Sequence, residues 1–190
     1  TEDGAISFTE TYPADVVAGK HPGPTDAAGK PVPAGARMPD AVAFSPDGTA
    51  IYAADEGELD YTGGRGCSAW SRGGALLWED RGLLEKTASL LRLYPEGRSG
   101  SRGIETEGVA TASFGDHDYL FVLSERGSFM AVFDIDRPDA PALRQILPTG
   151  DSPEGVVAIP SRNLVVTADE ESGTLTIFEG VPGIVPPLPR

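Results

Sequence analysis

Acidic residues recur at matching places along this chain, and carboxylates gathered around one point can bind a cation. Asp40, Glu107 and Glu154 each open a short apolar run, and Glu56, Glu125 and Glu170 each close one. Carboxylates brought together either repel, so that one holds its proton more tightly, or share an ion. An all-oxygen set of this kind suits Ca2+, which takes about six to eight oxygen ligands. Ca2+ is the one cofactor to which these residues point. Each acid also has a plainer use, the capping of backbone N–H groups in a turn. Arg65, Arg98 and Arg126 stand in Gly-rich or turn contexts near the acids. They can pair with those carboxylates or bind an anionic substrate such as a phosphate ester.

Other chemistry finds little support in the residues. His21 and His117 are isolated, and Cys67 is the single cysteine, so no His/Cys set has zinc spacing and no intrachain disulfide can form. There is no G-x-S-x-G elbow, P-loop or dinucleotide fingerprint. Ser124-Glu125-Arg126 has no evident base beside it, and the Asp47-Gly48 turn lacks the alternating acids of an EF-hand loop. No catalytic residue is identified, and whether the chain is an enzyme stays open. A net charge of −14 argues against nucleic acid and anionic membrane surfaces as partners. No stretch reaches the roughly 20 apolar residues that span a bilayer, so membrane insertion is not expected. Residues Thr1 to Lys20 lack the basic start and apolar centre of a signal peptide.

The elements that must position these acids are short strands. Gly and Pro together exceed a fifth of the residues and are spread along the chain, which implies many turns. Apolar runs of about five or six residues, rich in Val, Ile, Phe and Tyr, begin at Ala41 and continue to Phe178. Leu83 to Leu93 is the one helical pattern, with Leu83, Leu84, Leu90, Leu91 and Leu93 apolar and Glu85, Lys86 and Arg92 facing outward. Before Pro39 the sequence is rich in turns, with possible strands at Ala5 to Phe8 and Asp15 to Ala18 and a surface loop from His21 to Gly35. The Pro-rich tail from Val181 reads as a linker.

Three segments superimpose: Pro39-Asp40-Ala41-Val42 to Asp55-Glu56, Thr106-Glu107-Gly108-Val109 to Ser124-Glu125, and Pro153-Glu154-Gly155-Val156 to Asp169-Glu170. The last two begin about 47 residues apart, the length of a four-stranded propeller blade. The first interval is about 67 residues, and the helix-bearing insertion from Asp80 to Gly103 accounts for the excess. A lone four-stranded sheet exposes both faces and its edges, and stacking blades about one axis buries them. The expected fold is therefore all-β: a β-propeller segment of about three four-stranded antiparallel blades with one short helical insertion. Residues 1–38 form a lead-in, residues 39–180 the blades (about 39–103, 104–150 and 151–180), and residues 181–190 the linker. A propeller needs at least about four blades to close, so this chain is expected to be completed by flanking blades. The alternative is a two-layer β-sandwich.

Longer motifs carry a resemblance. Pro39-Asp40-Ala41-Val42-Ala43-Phe44-Ser45-Pro46-Asp47-Gly48 resembles the opening of YVTN-type and lactonase-type blades. Ala54-Asp55-Glu56-Gly57-Glu58, Tyr94-Pro95-Glu96-Gly97-Arg98, Phe121-Val122-Leu123-Ser124-Glu125-Arg126-Gly127 and Ala168-Asp169-Glu170-Glu171-Ser172-Gly173 are similar, in order and spacing, to the choice-of-anchor I family of secreted bacterial propellers. That resemblance implies an extracellular, cell-surface or periplasmic protein. It leaves two functions open. One is a binding or scaffolding module within a larger protein, its partners being the remaining blades or another subunit. The other is part of a metal-dependent phosphoesterase, alkaline-phosphatase-like or phytase-like. Asp55 and Asp169 stand where the family usually has Asn, and Cys67 where it usually has an aromatic or apolar residue.

Overall fold

Period-two runs of β-branched and aromatic residues, cut by Gly- and Pro-marked turns, pair here as hairpins. The computed structural model describes residues 37–57 and 64–180. The strands are β1 (Pro39–Phe44), β2 (Ala50–Asp55), β3 (Gly66–Ser71), β4 (Leu76–Glu79), β5 (Thr106–Phe114), β6 (His117–Ser124), β7 (Phe129–Asp134), β8 (Ala142–Pro148), β9 (Pro153–Ile159), β10 (Leu164–Asp169) and β11 (Thr174–Glu179). Helix α1 (Leu83–Leu91) follows β4. The β1–β2 turn shows the local logic. Gly48 takes φ 70°, and Asp47 Oδ1 accepts from Thr49 N at 3.0 Å and from Ser45 Oγ at 2.6 Å.

The strands form three antiparallel sheets, in the orders β1-β2-β3-β4, β5-β6-β7-β8 and β9-β10-β11. Their innermost strands stand side by side, β1 against β5 and β5 against β9. This is the expected propeller segment, not a two-layer sandwich. One detail differs: among the described residues the third sheet has three strands, where four were expected. The expected strands at Ala5 to Phe8 and Asp15 to Ala18, the loop from His21 and the tail from Val181 lie outside the described residues.

Two apolar cores hold the sheets face to face. Between the first and second sheets, Tyr52, Cys67 and Ala69 meet Leu120, Val122, Phe129, Ala131 and Phe133, with Leu84 and Ala88 of α1 closing one side. Between the second and third, Phe121, Leu123, Met130 and Val132 meet Val156, Ala158, Val165 and Phe178. Such burial is the main stabilising term for stacked sheets.

The helix is narrower than its sequence pattern. Leu84 and Ala88 are buried, while Leu90 and Leu91 are exposed, since a short helix presents only one stripe to the sheet. Arg92, at φ 62°, ends it. Glu85, expected to face outward, instead lies 3.9 Å from the buried Arg65. Asp80 anchors the start, accepting from Leu84 N at 3.1 Å, and burial lifts its pKa to about 7. Asp55, buried beside Arg37 at 3.7 Å, is likewise pushed up to about 7, mainly by burial. Arg37 also binds Glu79 and stacks 5.5 Å over Trp70.

One hydroxyl ties the second sheet to the first. Thr106 is fully buried, with Oγ1 2.9 Å from Asp55 O and 2.7 Å from Gly66 O. Its single proton serves one carbonyl at a time. Thr106→Val keeps the shape and removes the donor from which one of these two carbonyls accepts. We expect a stability loss of about 1–3 kcal/mol in urea denaturation, and an unchanged midpoint would disprove the role.

Candidate functional site

Each blade places its two acids with the same backbone device. The residue before the first strand sits in the left-handed region: Met38 at φ 52°, Glu105 at φ 52° and Ser152 at φ 53°. Its carbonyl accepts the N–H of the acid that follows the second strand. The three bonds are Glu56 N to Met38 O at 2.9 Å, Glu125 N to Glu105 O at 2.8 Å and Glu170 N to Ser152 O at 2.8 Å. The kink turns the start of the first strand toward the end of the second. The acid opening β1, β5 or β9 is thereby brought to the same end of the blade as the acid closing β2, β6 or β10.

Three of the six predicted acids then converge. Glu107, Glu125 and Glu154 each have a carboxylate oxygen within 4.8 Å of the others. Gly108 permits this approach of β5 to β9, since a Cβ there would collide with the carbonyl oxygen of Glu154. The other three flank the cluster. Glu170 hydrogen-bonds Glu154, and Asp40 lies close enough to both Glu56 and Glu107 to raise their pKa values. Glu56 itself binds Arg102.

The electrostatic outcome is uneven. Burial, then the charges of Glu125, Glu154, Asp40 and Glu105, push Glu107 up to about 8. Its Oε2 is shielded from water and makes no hydrogen bond. Glu154 is raised chiefly by its hydrogen bond to Glu170, and Glu125 is raised by burial against the opposing pull of Arg126. Glu105, which the repeat pattern did not single out, behaves oppositely. Burial works against its ionisation, yet bonds from Arg98 and Arg126 hold its carboxyl below the usual range.

The predicted arginines divide. Arg98 binds Glu105. Arg126 lies 3.2 Å from Glu105, 2.8 Å from Glu125 and 2.9 Å from Glu171, bridging the second and third blades. Arg65 is elsewhere, buried, donating to Ser99 O at 2.7 Å. Arg102 joins Glu56 to Glu105, 3.4 Å away, and was not among the sequence candidates. Its only signal is its place in Ser99-Gly100-Ser101-Arg102-Gly103, inside the insertion.

His117, isolated in sequence, is paired in space. Its Nδ1 lies 2.7 Å from Asp136 Oδ2 at the opposite end of the second blade, and Asp134 joins the group. Every carboxylate oxygen there already has a partner: Asp118 N on Asp136 Oδ1, Asp136 N on Asp134 Oδ1, and Arg144 on Asp134 Oδ2 at 2.7 Å. The arrangement staples two turns together.

Residues 59–138 match the sequence model of the choice-of-anchor I domain. No curated protein matches the chain. Among solved structures, a candidate 6-phosphogluconolactonase from Bacteroides uniformis is 13% identical, with TM-score 0.45, covering 82% of this chain and 57% of that one. A Lactobacillus plantarum protein is 16% identical, with TM-score 0.45, covering 82% of this chain and 44% of that one. A functionally unknown protein from Desulfotomaculum acetoxidans is 13% identical, with TM-score 0.44, covering 80% and 45%. The chain thus spans about half the length of these structures. That family match covers 80 of the chain's 190 residues. Among the described residues, no helix is long and apolar enough to cross a membrane.

The raised pKa of Glu107 makes its ionisation unfavourable in the folded chain. Its contribution is fully present below the unfolded carboxyl range near 4.5 and is lost as pH rises through about 8. Glu107→Gln removes the charge and keeps the shape. Its melting temperature should exceed that of the wild type at pH 9, with the difference vanishing near pH 4.5. A pH-independent difference would refute the placement of this strain at Glu107.

Proposed function

We propose that this chain, whose residues 59–138 match a choice-of-anchor I domain, is part of a larger cell-surface or secreted propeller. In this reading it acts as a binding and scaffolding module with a divalent cation, Ca2+, at its mouth. The supporting observation is the convergence of Glu107, Glu125 and Glu154 within 4.8 Å. Oxygens about 2.4 Å from one Ca2+ ion lie no more than about 4.8 Å apart, so the cluster has the compass of a single coordination shell. The donors are all carboxylates, which favours Ca2+ or Mg2+ over Zn2+. Binding would replace the proton on Glu107, relieve the mutual repulsion and brace β5 against β9. Coordination positions not filled by these three residues would go to water or to an acidic group of a partner.

The binding reading is better supported than the phosphoesterase reading. Of the three candidate arginines for a phosphate ester, Arg98 and Arg126 are engaged with Glu105, Glu125 and Glu171, and Arg65 is buried and donates to Ser99 O. A guanidinium bound to carboxylates must give them up before it can take a substrate.

Calorimetric titration with CaCl2 at pH 7.5 tests the proposal. The expected dissociation constant is about 10⁻⁴–10⁻³ M, the range of extracellular calcium modules. Binding should release protons and raise the melting temperature, and both effects should disappear in Glu107→Gln and Glu154→Gln. Absence of heat and of any thermal shift at 10 mM (about tenfold above the weakest expected constant) would refute the site. Calcium-dependent turnover of a chromogenic phosphate ester, lost in the same variants, would replace the binding role with the enzymatic one.

A further inference from the structure

We propose that the face of the third sheet turned away from the second is the docking face for the next blade of the same polypeptide. The proposal rests on the segment reading above, but on different residues from the cation site. Antiparallel pairing lays the residues of each sheet in rows. On the face each sheet turns toward its successor, the first row is Ala43–Tyr52–Ala69 in the first sheet and Ala110–Phe121–Val132 in the second. In the third sheet it is Val157–Val166–Ile177. The second row is Ala41–Ala54–Cys67, then Leu123–Met130 beside Gly108, then Gly155–Ala168–Leu175.

In the first two sheets these rows are core. Tyr52, Ala69 and Cys67 are covered by the second sheet, and Phe121, Leu123, Met130 and Val132 by the third. In the third sheet the same positions remain apolar, yet Val157 is 52% exposed, Ile177 62% and Leu175 68%. Isolated exposed apolar residues need no explanation, whereas a contiguous patch signals an interface. Neither row carries a charged side chain; the remaining row of that face, Ile159–Leu164–Glu179, has one, at its edge.

The repeat names the occupant. Both interfaces seen here join sheets consecutive in sequence, and each sheet's face is covered by the sheet that follows it. Continuing that rule assigns the open face to the following blade. Volume adds detail. Gly155 and Ala168 stand where the second sheet has Gly108 and Leu123, and they border a shallow hollow with Glu154 and Thr174. Close packing then requires bulkier side chains, Leu, Ile or Phe, on the incoming face than the Val156 and Val165 that meet the second sheet. A second copy of the chain fits less well. The outer face of its first sheet offers exposed Val42 and Phe44, but Trp70 and Ala53 in that face are already buried.

Thiol labelling of the native polypeptide tests the assignment. Leu175→Cys, Ile177→Cys and Val157→Cys report on the face, and Ala140→Cys in an exposed loop is the control. Cys67 is buried. All three reporters should label at least tenfold more slowly than the control, independently of protein concentration. Labelling at the control rate in any variant that keeps the wild-type melting temperature overturns the proposal. Protection that is lost on dilution, with a dimer mass, overturns it in favour of a second copy. So does protection in a polypeptide shown to have no blade after Gly180. A failed calcium titration with slow labelling would refute the cation site and leave this face intact.

Discussion

Like charges crowd the mouth of this molecule because its repeat puts an acid at the same two places in every blade. Stacking the blades about one axis then brings Glu107, Glu125 and Glu154 within 4.8 Å. Carboxylates that close cannot all ionise without a counter-charge. The structure responds in two ways. On one side Arg98, Arg102 and Arg126 bracket Glu105, Glu56, Glu125 and Glu171 in a network of alternating sign. On the other, Glu107 is left with repulsion that only a proton or a cation can relieve. The division explains why Glu105 is held ionised and Glu107, two residues on, is not.

The insertion after the first sheet is part of the same arrangement. It carries α1, whose Leu84 and Ala88 seal the first interface, and it delivers Arg98 and Arg102 to the mouth. A four-stranded blade with a tight connection would supply neither. Asp80, the first residue of the insertion, and Asp55, buried at the end of β2, are raised toward neutrality by desolvation. They add to the preference of the fold for mildly acidic conditions, since the ionised forms are the costly ones.

Blade equivalence also orders the packing. Asp55, Ser124 and Asp169 occupy one repeat position, and all three are buried. Asp169 is held ionised, in spite of its burial, by hydroxyls of Thr176, Thr167 and Thr174, while Ser124 donates to Ile104 O at 2.7 Å. Each residue uses its polar group to lock the end of the second strand, so the acid that follows it is displayed from a rigid base rather than a loose loop.

Much of the fold was legible along the chain. Strand alternation, turn residues and the repeat of acids are local signals, set by the two-residue period of a sheet and by the φ demands of Gly and Pro. From them follow the blades, the helical insertion and the equivalence of Asp40, Glu107 and Glu154 and of Glu56, Glu125 and Glu170. What the chain could not state was distance between blades. That depends on how closely β5 and β9 approach past Gly108, and on the left-handed turns at Met38, Glu105 and Ser152, residues whose types give no hint of that conformation. Only the tertiary structure decided which three acids meet, which arginines neutralise their neighbours and which apolar face stays uncovered, because each is a relation between residues whose separation in sequence carries no information about their separation in space.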